Sequence, residues 1–349
     1  MFENYVYRDI PEESTNKVDV YEYPPIDFCF VGSRGVGKTS LLASMAKELR
    51  KGNVTSFYVD TKTQEGRHTA SALNGAYEDM VDMLDNADVG EIIPMGGIAA
   101  TSIASREFIF KGRYTDGGWL RDKQFRFPFR FIDMPGGWYE DDGGHEQEVG
   151  QILTHSAVSF LAIDTPAMME SGDSVHTRLN HPDKIYDWYQ ENIETLARQG
   201  HAVIIVLSRC EAFWEKKDEM LRKFKERYVE LLGLFQKAGL PVCLVPVKTL
   251  GGVKFVAYDK SIPRMPRAQF MRTGKYEPEN CVTPLKIAFI FGLLRIFQQI
   301  RENQDIWDWI TDTIGFTHFD NAENCVRGIL SEIANIDEES FWGGEELYQ

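Results

Sequence analysis

The chain has 349 residues, 43% of them apolar, and a formal net charge of −15. That is material for one large α/β domain with appendages or for two modest domains. The acidity argues against a DNA- or RNA-binding surface, which needs clustered Lys and Arg. Five scattered cysteines (Cys29, Cys210, Cys243, Cys281, Cys325) without a C-x-x-C suggest neither a disulfide framework nor a zinc site, and fit a reducing cytoplasm. The opening residues Met1 to Asp9 have no apolar core, so no signal peptide is expected. The most apolar stretch, Pro284 to Ile300, is interrupted by Lys286 and Arg295 and is too short to span a bilayer.

Residues 1–24 are acidic and tyrosine-bearing, run into Pro24-Pro25, and read as an arm or extended lead-in. Phe28 to Val31 is a short apolar strand, and the helical pattern from Ser40 to Arg50 follows it. Ser56 to Asp60 reads as a strand or part of a loop, and residues 68–86, within an insertion of about 63–90, have helical spacing. Arg106–Arg113 and Gln124–Asp133 alternate as strands do, with a turn signal at Thr115-Asp116-Gly117-Gly118 between them. Val158–Ile163, Ala202–Leu207 and Pro241–Val247 are continuous apolar runs, as in a sheet covered on both faces. Helices are expected between them near 183–199 and 214–238. Residues 251–282 break the pattern as an insertion, and Thr283-Pro284 opens a closing helix as N-cap and first helical residue. Two more helical stretches (304–313 and 320–335) and an acidic tail follow. The strand–helix–strand order implies an α/β fold: a doubly wound, mostly parallel sheet over residues 25–303, with a helical C-terminal extension over 304–349.

Between the first strand and helix the sequence meets G-x-x-x-x-G-K-[ST] at Gly32, Gly37, Lys38 and Thr39. Glycines let backbone N–H groups converge on phosphate oxygens, and the helix that follows adds the positive end of its dipole. The candidate binding set is Gly32, Ser33, Arg34, Gly35, Val36, Gly37, Lys38, Thr39 and Ser40. Lys38 would reach the β- and γ-phosphates and Thr39 would ligate Mg²⁺. A second element, Asp133-Met134-Pro135-Gly136, ends a strand; its acid can hold Mg²⁺ and Gly136 can offer its N–H to a γ-phosphate.

With these two elements the chain resembles the superfamily of Ras-like and translational GTPases, whose D-x-x-G element matches Asp133 and Gly136. The resemblance implies a base-reading element after a later strand. Ser208-Arg209-Cys210-Glu211 stands there, with Ser, Arg and Glu in place of the usual Asn/Thr, Lys and Asp. Glu is one methylene longer and Arg stacks differently from Lys, so guanine selectivity is left open against ATP. Val247-Lys248-Thr249-Leu250 resembles the family's fifth element, whose backbone touches the guanine oxygen. Asp133 to Trp138 and Pro278 to Leu285 are also similar to bacterial double-GTPase-like proteins.

The family often places Gln directly after D-x-x-G; here Gly137 has no side chain to act. His145, Glu140, Asp141 and Asp142 lie nearby, and His145 is the candidate for orienting water. Arg34 is either a cis arginine finger or a solvent- or partner-facing residue. Pro94 to Ser102 is a candidate switch, in which Thr101, or Ser102 beside it, would supply a further Mg²⁺ ligand; a plain linker to the next strand is the alternative. Trp138 and Tyr139 are expected to pack the second switch or to face a partner when it rearranges, and Trp307, Trp309 and Phe316 to pin the C-terminal helices. The sequence thus predicts a cytoplasmic, Mg²⁺-dependent GTP-binding and GTP-hydrolysing switch that acts through a protein partner. A poorly hydrolysing nucleotide-binding scaffold and an ATPase are the alternatives.

Overall fold

The computed structural model describes residues 18–22, 25–51, 57–94, 106–117, 122–139, 144–259, 266–302 and 336–348. Strands β1 (Val18–Glu22) and β2 (Ile26–Val31) lead into α1 (Lys38–Lys51). Then come β3 (Phe57–Tyr58), α2 (Gln64–Asp85), β4 (Ile92–Pro94) and the long pair β5 (Arg106–Gly117) and β6 (Asp122–Asp133). A 3-10 turn, Gly136–Tyr139, precedes α3 (Glu146–His155), β7 (Val158–Asp164), α4 (Thr165–Met169), α5 (Asp173–Asn180) and α6 (Pro182–Arg198). β8 (Ala202–Ser208) runs through a second 3-10 segment, Cys210–Lys216, into α7 (Lys217–Arg227), α8 (Val229–Ala238) and β9 (Val242–Pro246). β10 (Val253–Asp259), β11 (Arg267–Arg272), α9 (Val282–Glu302) and β12 (Trp342–Gly343) follow.

The main sheet has the order β12-β9-β8-β7-β2-β6-β5-β3, with β1 also pairing with β6. Neighbours from β6 through β2, β7 and β8 to β9 are parallel, while β5, β3 and β12 pair antiparallel. β7 and β8 are buried along their whole length, as their unbroken apolar runs require. Alternate residues feed two cores, as a period-2 strand must. Phe28 and Phe30 of β2 face α1, α2 and α9; Cys29 and Val31 face α3, α6 and α8. The Phe28 ring lies 5.0 to 6.3 Å from the rings of Phe129, Phe131, Phe160 and Phe289. Arg130 donates both Nε and a terminal nitrogen to the Asp27 carboxylate, at 2.8 and 2.6 Å, across the β2–β6 register. Parallel strands end on one edge, so the loops after β2, β6, β7, β8 and β9 gather there, where ligands bind in sheets of this kind.

Several expected boundaries move. The long pair stays in strand through Gly117, so Thr115 to Gly117 are strand rather than the turn expected there, and Gly118 lies outside the described residues. The helix expected over 214–238 is two helices that meet at Tyr228, preceded by the 3-10 segment. α9 begins at Val282, one residue before the expected cap, and buries Phe289 and Leu293 while Leu294 is 46% exposed. The described part of the insertion after β9 has strands of its own: β10 and β11 form an antiparallel sheet that β4 completes, joining two segments far apart in sequence. The acidic tail is more than a solvated end. Trp342 and Gly343 pair with Leu244 and Cys243 of β9, Leu347 is buried, and Asn280 Nδ2 donates to Pro246 O and Ser340 O. The helical stretches expected over 304–313 and 320–335, with Trp307, Trp309 and Phe316, lie outside the described residues. Among the described residues no helix is long and apolar enough to cross a membrane.

At the opposite edge of the sheet, Ser159 Oγ lies 2.6 Å from Tyr189 OH and 2.9 Å from His201 Nε2, and His201 Nδ1 lies 2.9 Å from Ser156 O. These residue types suggest a nucleophile and base. Burial instead holds the imidazole neutral, its pKa down to about 4, and burial pushes the Tyr189 hydroxyl far up. The cluster is an enclosed polar network that satisfies groups beneath β7.

Candidate functional site

The loop from β2 to α1 folds as its glycines allow. Gly32, Gly35 and Gly37 adopt φ of +151°, +83° and +91°, a region that side chains disfavour. At Gly32 there is also no room, because a Cβ would lie 2.9 Å from Ala162 O. Lys38 Nζ curls over the loop and donates to Gly32 O at 2.6 Å and Ser33 O at 3.3 Å. Burial pulls its pKa down, and the nearby Asp133 carboxylate opposes this. Ser33 Oγ donates to Leu179 O, Val36 is buried, Ser40 is half-buried and Arg34 is exposed.

Asp133 ends β6 directly beside Phe30 of β2, which carries it to the loop. It is 1% exposed, and its Oδ2 accepts from Thr39 Oγ1 at 2.7 Å. Adjacent ligands of an octahedral Mg²⁺ with bonds of 2.0–2.1 Å stand about 2.9 Å apart, so this hydroxyl and carboxylate fit the ion by type and by spacing. Gly136 is pressed against the loop: a Cβ there would lie 2.4 Å from both the Cα and the N of Arg34. Three residues on, the buried Tyr139 hydroxyl accepts from Gly32 N–H at 2.5 Å. Lys184 Nζ holds this turn by donating to Trp138 O at 3.0 Å. Sequence reasoning assigned Tyr139 to packing and missed its contact with the loop. The aromatic after the paired glycines was the available signal, but the contact needs the β2–β6 adjacency.

On the other side of the loop, Ser208 Oγ lies 3.0 Å from Val36 O and 3.0 Å from Ile163 O. Arg209, in the left-handed region at φ 60°, donates to Asp164 Oδ2 and to Gly35 O, both at 2.6 Å. Two residues of the degenerate base-reading element therefore grip two carbonyls of the phosphate loop. Glu211 turns inward: its Oε1 accepts from Leu250 N–H at 2.8 Å and Gly251 N–H at 3.3 Å. Burial raises its pKa, and these N–H groups and Arg209 counter the rise. Lys248 is engaged with Glu279, through its ammonium at 2.5 Å and its backbone N–H at 3.1 Å, and lies 4.5 Å over the Trp214 ring. His145 begins α3, stacks on Trp138 at 4.8 Å and faces Glu148 at 3.9 Å. Thr101 and the rest of the glycine-rich segment from 95 lie outside the described residues, as do Glu140, Asp141 and Asp142.

The chain thus brings Lys38, Thr39, Asp133, Gly136, Ser208 and Arg209 to one edge of the sheet, with a strand order and loop that define a doubly wound α/β fold carrying a phosphate-binding loop. No protein-family model matches the chain, and no curated protein matches it. Solved structures do. The Ski7 GTPase-like domain of S. cerevisiae, bound to GDP and inorganic phosphate, is 15% identical over 64% of this chain and 42% of that chain, with a TM-score of 0.31. The signal recognition particle receptor SRb-GTP/SRX complex from Chaetomium thermophilum is 14% identical over 66% of this chain and 93% of that chain, with a TM-score of 0.34. The bacterial dynamin GTPase LeoA from ETEC is 12% identical over 61% and 36%, with a TM-score of 0.23. The chain spans less than half the length of the Ski7 and LeoA chains.

Proposed function

We propose that the chain is a cytoplasmic, Mg²⁺-dependent GTP-binding switch that hydrolyses GTP slowly and acts through a protein partner. The observation that carries this is the meeting of Lys38, Thr39 and Asp133 at one loop, with Gly136 against its backbone. Lys38 would leave the carbonyls of Gly32 and Ser33 for the β- and γ-phosphates. Thr39 and Asp133 would hold Mg²⁺, with Thr101 as a further ligand. The bound ion would neutralise charge on the β- and γ-oxygens. The N–H of Gly136 would meet the γ-phosphate, so its presence or loss would reposition the turn at 136–139. Arg34, exposed at the rim, would face solvent, a partner or the β–γ bridge, and His145 would orient water.

A second reading, an ATPase or a poorly hydrolysing scaffold, draws on two observations. Glu211 already accepts from the N–H groups of Leu250 and Gly251, close to where the fifth element would meet a guanine oxygen. Gly137 has no side chain to orient water.

Under single-turnover conditions the expected unassisted rate is about 10⁻⁴ to 10⁻² s⁻¹, the span of switch GTPases without and with a cis arginine. Phosphate release is compared for the unmutated protein, Arg34→Ala and His145→Ala. A large loss only in Arg34→Ala identifies a cis finger; a large loss only in His145→Ala identifies the water-orienting group. Turnover above about 1 s⁻¹ without a partner contradicts a slow switch.

A further inference from the structure

We infer that Tyr258 and Asp164 are positioning residues for the phosphate loop, acting on it through Arg209. This rests on the reading of residues 32–39 as the triphosphate site.

Tyr258 belongs to β10, in the small inserted sheet, and is buried. Its hydroxyl donates to Asp164 Oδ1. The same oxygen accepts from Ala167 N–H at 2.9 Å, capping α4. With Oδ1 taken twice, Oδ2 is the oxygen turned toward Arg209, 2.6 Å away. The guanidinium is sheltered, with its side chain 13% exposed and the Phe270 ring of β11 centred 5.9 Å away. Both inserted strands thus hold one arginine, whose other terminal nitrogen holds Gly35 O.

The effect on the loop follows from peptide geometry. In a planar trans peptide the C=O and the next N–H point in opposite directions. Drawing Gly35 O toward Arg209 therefore turns Val36 N–H to the opposite side. Drawing Val36 O toward Ser208 Oγ does the same for Gly37 N–H. Ser208 and Arg209 grip two successive carbonyls and so aim two successive amide donors, which are the groups that would cradle phosphate. Gly35 has no side chain to hold this orientation, and its φ of +83° is one that glycine readily leaves. Ser208 lies on the rigid β8, but Arg209 has a long side chain that must be oriented by its partner. Asp164 supplies the charge, and Tyr258 fixes which carboxylate oxygen presents it. A hydrogen bond to an ionised group orients more strongly than a neutral one, so the loss of a single hydroxyl is felt at the loop. The inserted sheet is therefore coupled to the nucleotide site through three side chains.

The test is a double-mutant cycle read by the dissociation rate and Kd of a fluorescent GTP analogue with Mg²⁺. Tyr258→Phe keeps the ring and removes the hydroxyl; it is expected to weaken binding by about tenfold, mainly through faster dissociation. In the Arg209→Ala background the same change is expected to alter binding by less than about twofold, because the arm through which Tyr258 acts is gone. Asp164→Asn, a second variant that keeps the shape, is expected to weaken binding at least as much as Tyr258→Phe and to be equally silent without Arg209. Thermal unfolding of each variant reports the fold separately. Unchanged binding in Tyr258→Phe, or an equal loss with and without Arg209, overturns the inference while leaving the phosphate site standing. Failure of the unmutated protein to bind, or equal binding by Lys38→Ala, overturns the site itself and the inference with it.

Discussion

Lys38→Ala is expected to lose at least roughly a hundredfold in affinity for a GTP analogue with Mg²⁺, corresponding to about 2.7 kcal/mol. The lysine is the cation at the mouth of the loop, and two charge-assisted hydrogen bonds are within its reach. Opposed phosphates would be its partners in the bound state, and no other cation in the loop is positioned to replace it: Arg34 is exposed at the rim. The fold is expected to survive. Lys38 is 6% exposed and burial already disfavours its charge, so alanine removes a costly buried ammonium along with its contacts. Titration of both proteins, with far-UV circular dichroism as the control, reads the effect. Equal affinities would remove the loop from the account.

Gly136→Ala is the second large expected effect. The added methyl would meet Arg34 Cα and N at 2.4 Å and Ser33 C at 2.8 Å, all of them backbone. No side chain can swing aside, so either the 136–139 turn or the phosphate loop must move. Overpacking of this kind costs about 1–3 kcal/mol. The turn is also tied to the loop by Tyr139 and Gly32, and to α6 by Lys184, so the displacement reaches both. The variant is expected to unfold at lower temperature than the unmutated protein and to bind the GTP analogue at least about tenfold more weakly, or about 1.4 kcal/mol. Gly137→Ala is the control, since nothing lies within 4 Å of a Cβ at that position. Equal behaviour of the two variants would show that the close approach has no functional weight.

The parts of the molecule legible in the sequence were those written locally. Gly32 to Thr39 declare their loop because strand, glycines, lysine and helix are contiguous, and Asp133 to Gly136 declare a strand end in the same way. The doubly wound order followed from unbroken apolar runs separated by helical ones. Contacts across long separations were not legible. Tyr258 and Asp164 are 94 residues apart, and only the inserted sheet brings them together. β4 pairs with β11 although β5 to β10 and α3 to α8 separate them in the chain. Glu211 was assigned to base reading from its place after β8, and the contact of its Oε1 with the Leu250 and Gly251 amides, 39 and 40 residues on, was not legible. The docking of the tail was not legible because acidic residues dominate it; Trp342 and Gly343 pair with β9, Ser340 O accepts from Asn280 and Leu347 is buried.

The most direct test of the central claim is a competition titration, in which a fluorescent GTP analogue bound with Mg²⁺ is displaced by unlabelled GTP or by ATP. Saturable binding at one site is expected, with GTP competing at least about tenfold better than ATP, a difference of about 1.4 kcal/mol. Glu211 Oε1 is held by the Leu250 and Gly251 amides while its buried Oε2 has no partner among the described residues, so Glu211→Ala should erase that preference by removing the acceptor left for the guanine donors. ATP competing as well as GTP on the unmutated protein, or no saturable binding at all, would contradict a guanine-nucleotide switch.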